Sequence, residues 1–93
     1  MERFKQEARE TMGDPLIQRL YDLHDECLEL AESCKRNEEE FGVAALECIA
    51  YRVASEILAR QHELAPEKYP DAQGRIRQIN EAAAKRRKQP TEP

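Results

Sequence analysis

The histidine and cysteine side chains are the residues of this chain whose types and spacing could bind a metal ion. His24 and Cys27 lie one helical turn apart, and Cys34, Cys48 and His62 are the other candidate ligands. A structural zinc site takes four such ligands, usually in closely spaced pairs. Only His24 and Cys27 form such a pair, because a continuous helix would separate Cys27 from Cys34 by about 10 Å. We therefore expect no metal and no cofactor, with the thiols as small buried groups; zinc binding by His24, Cys27 and Cys48 stays open as the alternative.

The cysteine count and the N-terminal residues bear on the cellular compartment. The chain has three cysteines, an odd number, and a separation of about 10 Å excludes a disulfide between Cys27 and Cys34 within one helix. Residues 1–13 are charged throughout and lack the apolar centre of a signal peptide. No apolar run approaches the roughly 20 residues that span a bilayer. These features predict a soluble cytoplasmic protein with reduced thiols.

Clustered carboxylates could hold a divalent metal ion for hydrolysis. Helical nucleotide pyrophosphohydrolases of the MazG type place an EExxE cluster on one helix and an ExxD pair on the next. In this chain the acids at 26–32 and 38–40 are followed by Glu47 without an ExxD pair, so the pattern differs from that of the family. A cysteine nucleophile would need an exposed thiol beside a histidine, whereas these thiols fall on the apolar side of their helices. We therefore expect a protein that is not an enzyme.

A surface of a single charge sign is the strongest signal for function. Acidic residues recur at spacings of three and four on the outer face of the second predicted helix and continue past it. We call this set the acidic ridge and predict that it binds a partner: Asp22, Asp25, Glu26, Glu29, Glu32 and Glu39. Like charges one turn apart repel each other, so a ridge of one sign is typical of a docking surface for a basic partner. The simpler alternative is a solvated face that keeps the protein soluble.

We interpret the chain as a small protein-interaction module, a regulator or inhibitor that binds a basic surface or groove of a protein. Small acidic helical proteins of phages and plasmids, including anti-CRISPR inhibitors, are similar in this respect. A basic segment near the C-terminus supports a rival interpretation, a small dimeric regulator that binds nucleic acid through phosphate contacts. Its residues are Arg75, Arg77, Lys85, Arg86, Arg87 and Lys88. Nucleic acid is the less favoured partner because aromatic residues for base stacking are few, and no membrane partner is expected.

Length and charge distribution limit the class of protein. A chain of 93 residues forms one domain with a thin core. Residues 1–47 carry thirteen acids and six bases, and residues 48–93 carry six acids and nine bases, so the net charges of the two halves are −7 and +3. The chain therefore has an acidic half and a basic end.

Helix signals divide the chain into four segments that must position these residues. Asp14 followed by Pro15 is typical of an N-cap and first helical residue. Asn37, with Glu40 three residues later, matches a capping box, and a turn with two prolines ends the third helix. We predict one helical domain over residues 1–87, with helices at about 2–12, 15–36, 38–64 and 71–87, and a disordered tail at 88–93.

Apolar residues at spacings of three and four place one side of the second and third helices in a core. In the second helix the seam is Ile17, Leu20, His24, Cys27, Ala31 and Cys34, flanked by Leu16, Leu23 and Leu30. In the third helix the bulky arc is Val43, Leu46, Ile49, Val53, Ile57 and Leu64. We predict an all-α fold, a small bundle in which an antiparallel hairpin of these two helices carries a short N-terminal and a weak C-terminal helix. Leu20→Ala or Ile49→Ala would then cost about 2 to 5 kcal/mol.

The sequence leaves the state of association open. The apolar arcs are wider than a contact between two helices requires, so a homodimer with a four-helix core is predicted as readily as a monomer closed by the last helix. The pairing face would be the small residues of the third helix or the flank beside them. These residues are Ala45, Cys48 and Ala59, and Tyr51 and Leu58.

Overall fold

Four helices form over the part of the chain that the structure describes. The computed structural model describes residues 2–88, with side chains for residues 3–85. The helices are α1 (Glu2–Glu10), α2 (Pro15–Arg36), α3 (Glu40–Leu64) and α4 (Ala72–Lys88). No strand occurs within residues 2–88, and the prediction of an all-helical small bundle is confirmed. Lys88, assigned above to a tail, ends α4, and the predicted disorder of 89–93 lies outside the described residues.

The start of α2 is held by the carboxylate of Asp14. As predicted, this residue is the N-cap, and its Oδ2 accepts a hydrogen bond from the backbone N–H of Ile17 at 3.1 Å. The same carboxylate accepts bonds from Arg60 Nη2 at 2.9 Å and Nε at 3.2 Å. The bonds from Arg60 are the largest cause of a lowered pKa at Asp14, because they favour the charged carboxylate. One side chain thus caps α2 and joins it to the last part of α3.

The connection between α2 and α3 differs from the predicted capping box. Asn37 does not begin α3; it is the C-cap of α2, and α3 starts at Glu40 after Glu39, whose side chain makes no capping bond. Glu38 has a φ of 57°, and its N–H reaches Lys35 O at 3.1 Å while that of Glu39 reaches Cys34 O at 2.9 Å. This pair of bonds is the Schellman motif that ends helices. Those backbone bonds to α2 prevail over the side-chain cap that the sequence suggests.

Glu38 occupies a left-handed conformation that favours glycine. We expect Glu38→Gly to raise the free energy of unfolding by roughly 0.5 to 1 kcal/mol, because glycine has no Cβ to strain at positive φ. Glu39→Gly is the matched control, since it removes the same charge at an ordinary φ of −96° and should destabilise the protein. Urea unfolding of both variants measures the difference. Equal losses in the two variants would contradict the conformational explanation.

The core lies where α1 crosses the contact between α2 and α3. α3 packs against both α2 and α4. A cluster of buried side chains joins α1, α2 and α3, and it consists of Phe4, Ile17, Val53, Ala54 and Ile57. Leu20, Tyr21 and Ile79 pack against it while partly exposed, so α4 also reaches the cluster. Burial of these apolar groups is the main source of stability in so small a chain.

Part of the predicted apolar seam is on the surface instead. Leu16, Leu23 and Leu30 are 44–49% exposed, and so are Ile49 and Leu64 of α3 at 47% and 49%. Their assignment to the core is therefore wrong. The reason is the position of α1: Phe4 packs on Tyr21 and His24, which draws the core toward one edge of α2 and leaves the other edge in solvent.

α4 packs on the side of α3 that has small residues, and it occupies part of the face predicted to bind a second chain. Cys48 Sγ donates to Ala83 O at 3.6 Å and Ser55 Oγ donates to Asn80 Oδ1 at 3.3 Å. Leu58, named above as a pairing residue, is fully buried. Ala45 and Ala59 stay exposed, but Cys48 and Leu58 are occupied within the chain, so only part of the predicted dimer face is available and dimerisation stays a prediction.

Candidate functional site

His24 belongs to an aromatic cluster in the core. It is 2% exposed, and its ring centroid lies 5.2 Å from that of Phe4 and 6.1 Å from that of Tyr21. Burial lowers the pKa of His24, and the nearby Asp25 carboxylate offsets only part of this. A neutral imidazole at pH 7 follows, because a buried ring disfavours the charged form. Its Nδ1 finds no hydrogen-bond partner among the described residues, and Asp25 Oδ1 is 3.8 Å away.

The three thiols are separate from one another and differ in environment. All are free; Cys27 is buried, whereas Cys34 and Cys48 are partly exposed. Burial is the first cause of a raised pKa at Cys27, followed by the charge of Glu26, so the reactive thiolate is disfavoured there. Within the described residues, no group of three or more His, Cys, Asp or Glu side chains is placed to hold a metal ion. His24, Cys27 and Cys48 therefore do not converge on one site in this structure.

Five members of the acidic ridge lie on the side of α2 that faces away from α3, and Glu39 lies in the connection that follows α2. All members of the ridge are exposed: Asp22, Asp25, Glu26, Glu29, Glu32 and Glu39. Within the described residues, the ion pairs of the ridge are Glu32 with Lys35 at 3.5 Å and a contact of Asp25 with His24 at 3.8 Å. The second contributes little because His24 is neutral. The ridge therefore presents mostly unneutralised carboxylates, spread over about 15 Å of helix.

The basic segment is less available than the sequence suggested. Arg75 pairs with Glu7 of α1 at 2.7 Å, and both side chains are largely buried. Arg77 and Lys85 are exposed on α4. Arg86, Arg87 and Lys88 belong to the last turn of that helix, where the structure describes the backbone. The structure thus assigns Arg75 to the contact between α1 and α4 rather than to a free basic patch.

Two cavities add chemistry that the sequence patterns did not indicate. One of about 390 Å³ lies among the four helices and has apolar walls that include Phe4, Leu28 and Ile79, with His24 beside them. The arginines at its edge are already paired, Arg3 with Asp71 at 2.9 Å and Arg75 as above. The other, of about 400 Å³, is a depression between α3 and α4 lined by Ser55, Asn80 and six further residues. Neither cavity includes a residue of the acidic ridge. Cys48, Ser55 and Glu56 line the second one, where the Ser55 hydroxyl bonds Tyr51 O and Asn80 Oδ1.

A second surface feature consists of residues that the sequence pattern predicted to be buried. Leu16, Leu23 and Leu30 repeat every seven residues along α2, and Ile49 of α3 is exposed to a similar degree. Heptad spacing alone does not distinguish this edge from the core, because the buried Ile17, His24 and Ala31 repeat at the same interval. The four exposed residues together form an apolar edge beside the acidic ridge.

No protein-family model, curated protein or solved structure matches the chain. None of the described helices is long and apolar enough to span a lipid bilayer.

Proposed function

We propose that the protein is a non-catalytic interaction module, a small regulator or inhibitor, that binds a basic surface of a protein partner through the acidic ridge. The observation that carries the proposal is the exposure of the whole ridge, in which Glu32 with Lys35 is the only ion pair to a lysine or arginine among the described residues. Like charges one turn apart destabilise a helix by a few tenths of a kcal/mol per pair. A partner that supplies cations removes this repulsion and gains charge-assisted contacts at the same time.

An antiparallel hairpin of α2 and α3 provides the platform. At one end Asp14 bonds Arg60. At the other end Gly42 approaches Cys34 so closely that a Cβ on Gly42 would lie 2.9 Å from the sulfur. Contacts at both ends support a rigid α2, and a rigid ridge loses little conformational entropy when it docks. The carboxylates themselves stay in water until the partner arrives.

Electrostatics determines how such a surface would bind. Unpaired carboxylates on one face attract a basic groove over about 10 Å at ordinary ionic strength, which accelerates encounter more than it lengthens the lifetime of the complex. A groove that normally binds nucleic acid has the required charge, and the ridge would then occupy the place of a phosphate backbone. Inhibition of a nucleic-acid-binding protein is the form of regulation that this surface favours.

Four titratable side chains outside the ridge support a role in binding rather than catalysis. His24 is held neutral in the core, the Cys27 thiol is buried, and Arg3 and Arg75 at the edge of the 390 Å³ cavity are paired with acids. General acid–base catalysis needs a titratable group within hydrogen-bond reach of a substrate. The exposed acids of the ridge are not gathered in a cavity of that kind.

Charge reversal on the ridge tests the proposal. We expect Asp22→Lys/Glu29→Lys to weaken partner binding about tenfold or more, because it replaces attraction by repulsion at two positions of the ridge. Glu67→Lys/Glu81→Lys is the matched control, since it makes the same change in net charge at exposed residues away from α2. The wild type and both variants are used as baits in lysate of the source cells, at low and high salt.

The proposal predicts a prey protein that the wild type and the control variant retain, that high salt releases, and that the ridge variant fails to capture. Titration of the purified prey against the three baits then gives the loss in affinity. Preys captured equally by all three baits, or no prey on the wild type, would reject the acidic ridge as a docking surface.

The rival interpretation, nucleic-acid binding by the basic end, has one structural observation in its favour. α4 continues through Lys88, so the backbone of the basic run is helical. Truncation after Ala84 should then abolish binding of duplex DNA or RNA, with a salt dependence that reports the number of phosphate contacts. Unchanged nucleic-acid affinity after truncation would remove this interpretation.

A further inference from the structure

The apolar edge of α2 is an unusual surface for a chain so rich in charge. Leu16, Leu23 and Leu30 are 44–49% exposed, and Ile49 is 47% exposed. The contacts of Asp14 with Arg60 and of Cys34 with Gly42 put Ile49 level with the middle of this stripe. Phe4 of α1 fills the opposite side of the contact between α2 and α3. The four side chains therefore lie on one side of the contact between α2 and α3, each about half exposed.

The stripe has the internal symmetry of a surface that pairs with itself. Leu16 precedes Leu23 by seven residues and Leu30 follows it by seven. A two-fold axis through Leu23, perpendicular to α2, would place Leu16 opposite Leu30 of a second copy and Leu23 opposite itself. Heptad leucines are the residues that pack two helices together in a coiled coil, and an isologous interface requires this reciprocal arrangement.

The charges beside the stripe obey the same symmetry. Arg19 lies four residues before Leu23 and Glu26 lies three residues after it, both on the outer side of the leucines and both exposed. No ion pair joins Arg19 or Glu26 to another described residue. The two-fold axis that aligns the leucines brings Arg19 of each copy to within one residue, about 1.5 Å along the helix axis, of the level of Glu26 of the other. Two cross-copy ion pairs would therefore flank the apolar contact.

We propose that the occupant of this face is a second copy of the chain, with α2 packed antiparallel against α2. The proposal goes beyond the function argued above and uses a different surface. Glu26, a member of the acidic ridge, takes part in the dimer contact instead. It also differs from the dimer face suggested by sequence, because the side of α3 that carries α4 is not used. A partner of a different sequence would have to supply an acid opposite Arg19 and a base opposite Glu26, whereas a second copy of the chain supplies both.

The first measurement is the mass of the wild-type chain in solution by sedimentation equilibrium over a range of concentrations. We expect a species of twice the 10.8 kDa of the chain. Leu23→Asp should yield a monomer with an unchanged far-UV circular dichroism spectrum, because the side chain is half exposed in the isolated chain. A wild type that stays monomeric at every concentration would overturn the proposal, and so would an unweakened dimer of Leu23→Asp.

The second measurement tests the register with paired charge variants. Arg19→Glu alone places acid opposite acid across the axis, and Glu26→Arg alone places base opposite base, so each variant should dimerise at least tenfold more weakly than the wild type. A mixture of the two restores both ion pairs and should form a heterodimer. Dimers of wild-type strength from each single variant, or no association in the mixture, would reject this arrangement. Neither variant alters Asp22 or Glu29, so failure here is distinguishable from failure of the acidic ridge.

Discussion

Replacing Tyr69 by alanine should lower the free energy of unfolding by about 3 to 5 kcal/mol, whereas phenylalanine should preserve or raise it. Tyr69 lies between α3 and α4, is 2% exposed, and is the largest of the fully buried side chains. Its hydroxyl has no hydrogen-bond partner among the described residues, and burial raises its pKa. Alanine would leave a cavity under the connection, while phenylalanine removes only an unsatisfied polar group.

Urea unfolding of the two Tyr69 variants measures this contrast. Tyr51→Phe is the control, because Tyr51 is partly exposed and loss of its hydroxyl should change stability by less than about 0.5 kcal/mol. His62 is expected to keep its contact, since its Nδ1 meets the backbone oxygen of Tyr69 at 2.9 Å and not the side chain. A phenylalanine variant as unstable as the alanine variant would mean that the hydroxyl has a partner, such as ordered water.

Local signals explain what could be predicted from the sequence. Asp14 and Pro15 define the start of α2 through short-range capping and a fixed proline φ, and the structure places the N-cap there. The exposure of Glu29 and its neighbours on the ridge follows from the period of 3.6 residues, because charged positions opposite an apolar stripe stay in water. Such features depend on residues within one or two turns of each other.

Long-range packing explains what could not be predicted. Periodicity defines an apolar arc on α2, but the position of α1 decides which part of the arc is buried. Phe4 packs against His24 on one edge of the arc, whereas Leu23 on the other edge stays exposed. In the same way, the sequence predicts that Arg75 contacts nucleic acid, whereas in the structure Arg75 pairs with Glu7 of α1. The turn at Glu38 was missed because glutamate seldom adopts positive φ. Partner binding depends on a second molecule as well as on this chain, so it stays a prediction.

Ile57→Ala should cost about 2 to 5 kcal/mol, whereas Ile49→Ala should cost about 1 kcal/mol or less in the monomer. The two residues belong to the same helix and undergo the same chemical change. Ile57 is fully buried in the cluster with Phe4 and Ile17, so truncation leaves a cavity there. Ile49 is 47% exposed, so its truncation removes less buried apolar surface than its helical spacing suggests.

The dependence on protein concentration further distinguishes the roles of Ile57 and Ile49. Unfolding measured at low concentration reports on the isolated chain, and there the Ile57 variant should be much the less stable. At high concentration a dimer through the apolar edge adds stability by mass action, so the deficit of Ile49→Ala should grow while that of Ile57→Ala stays constant. Thermal melts of both variants over a hundredfold range of concentration measure this. A large loss of stability in Ile49→Ala at the lowest concentration would mean that Ile49 is buried in the monomer. The surface between α2 and α3 would then not be available to a second copy.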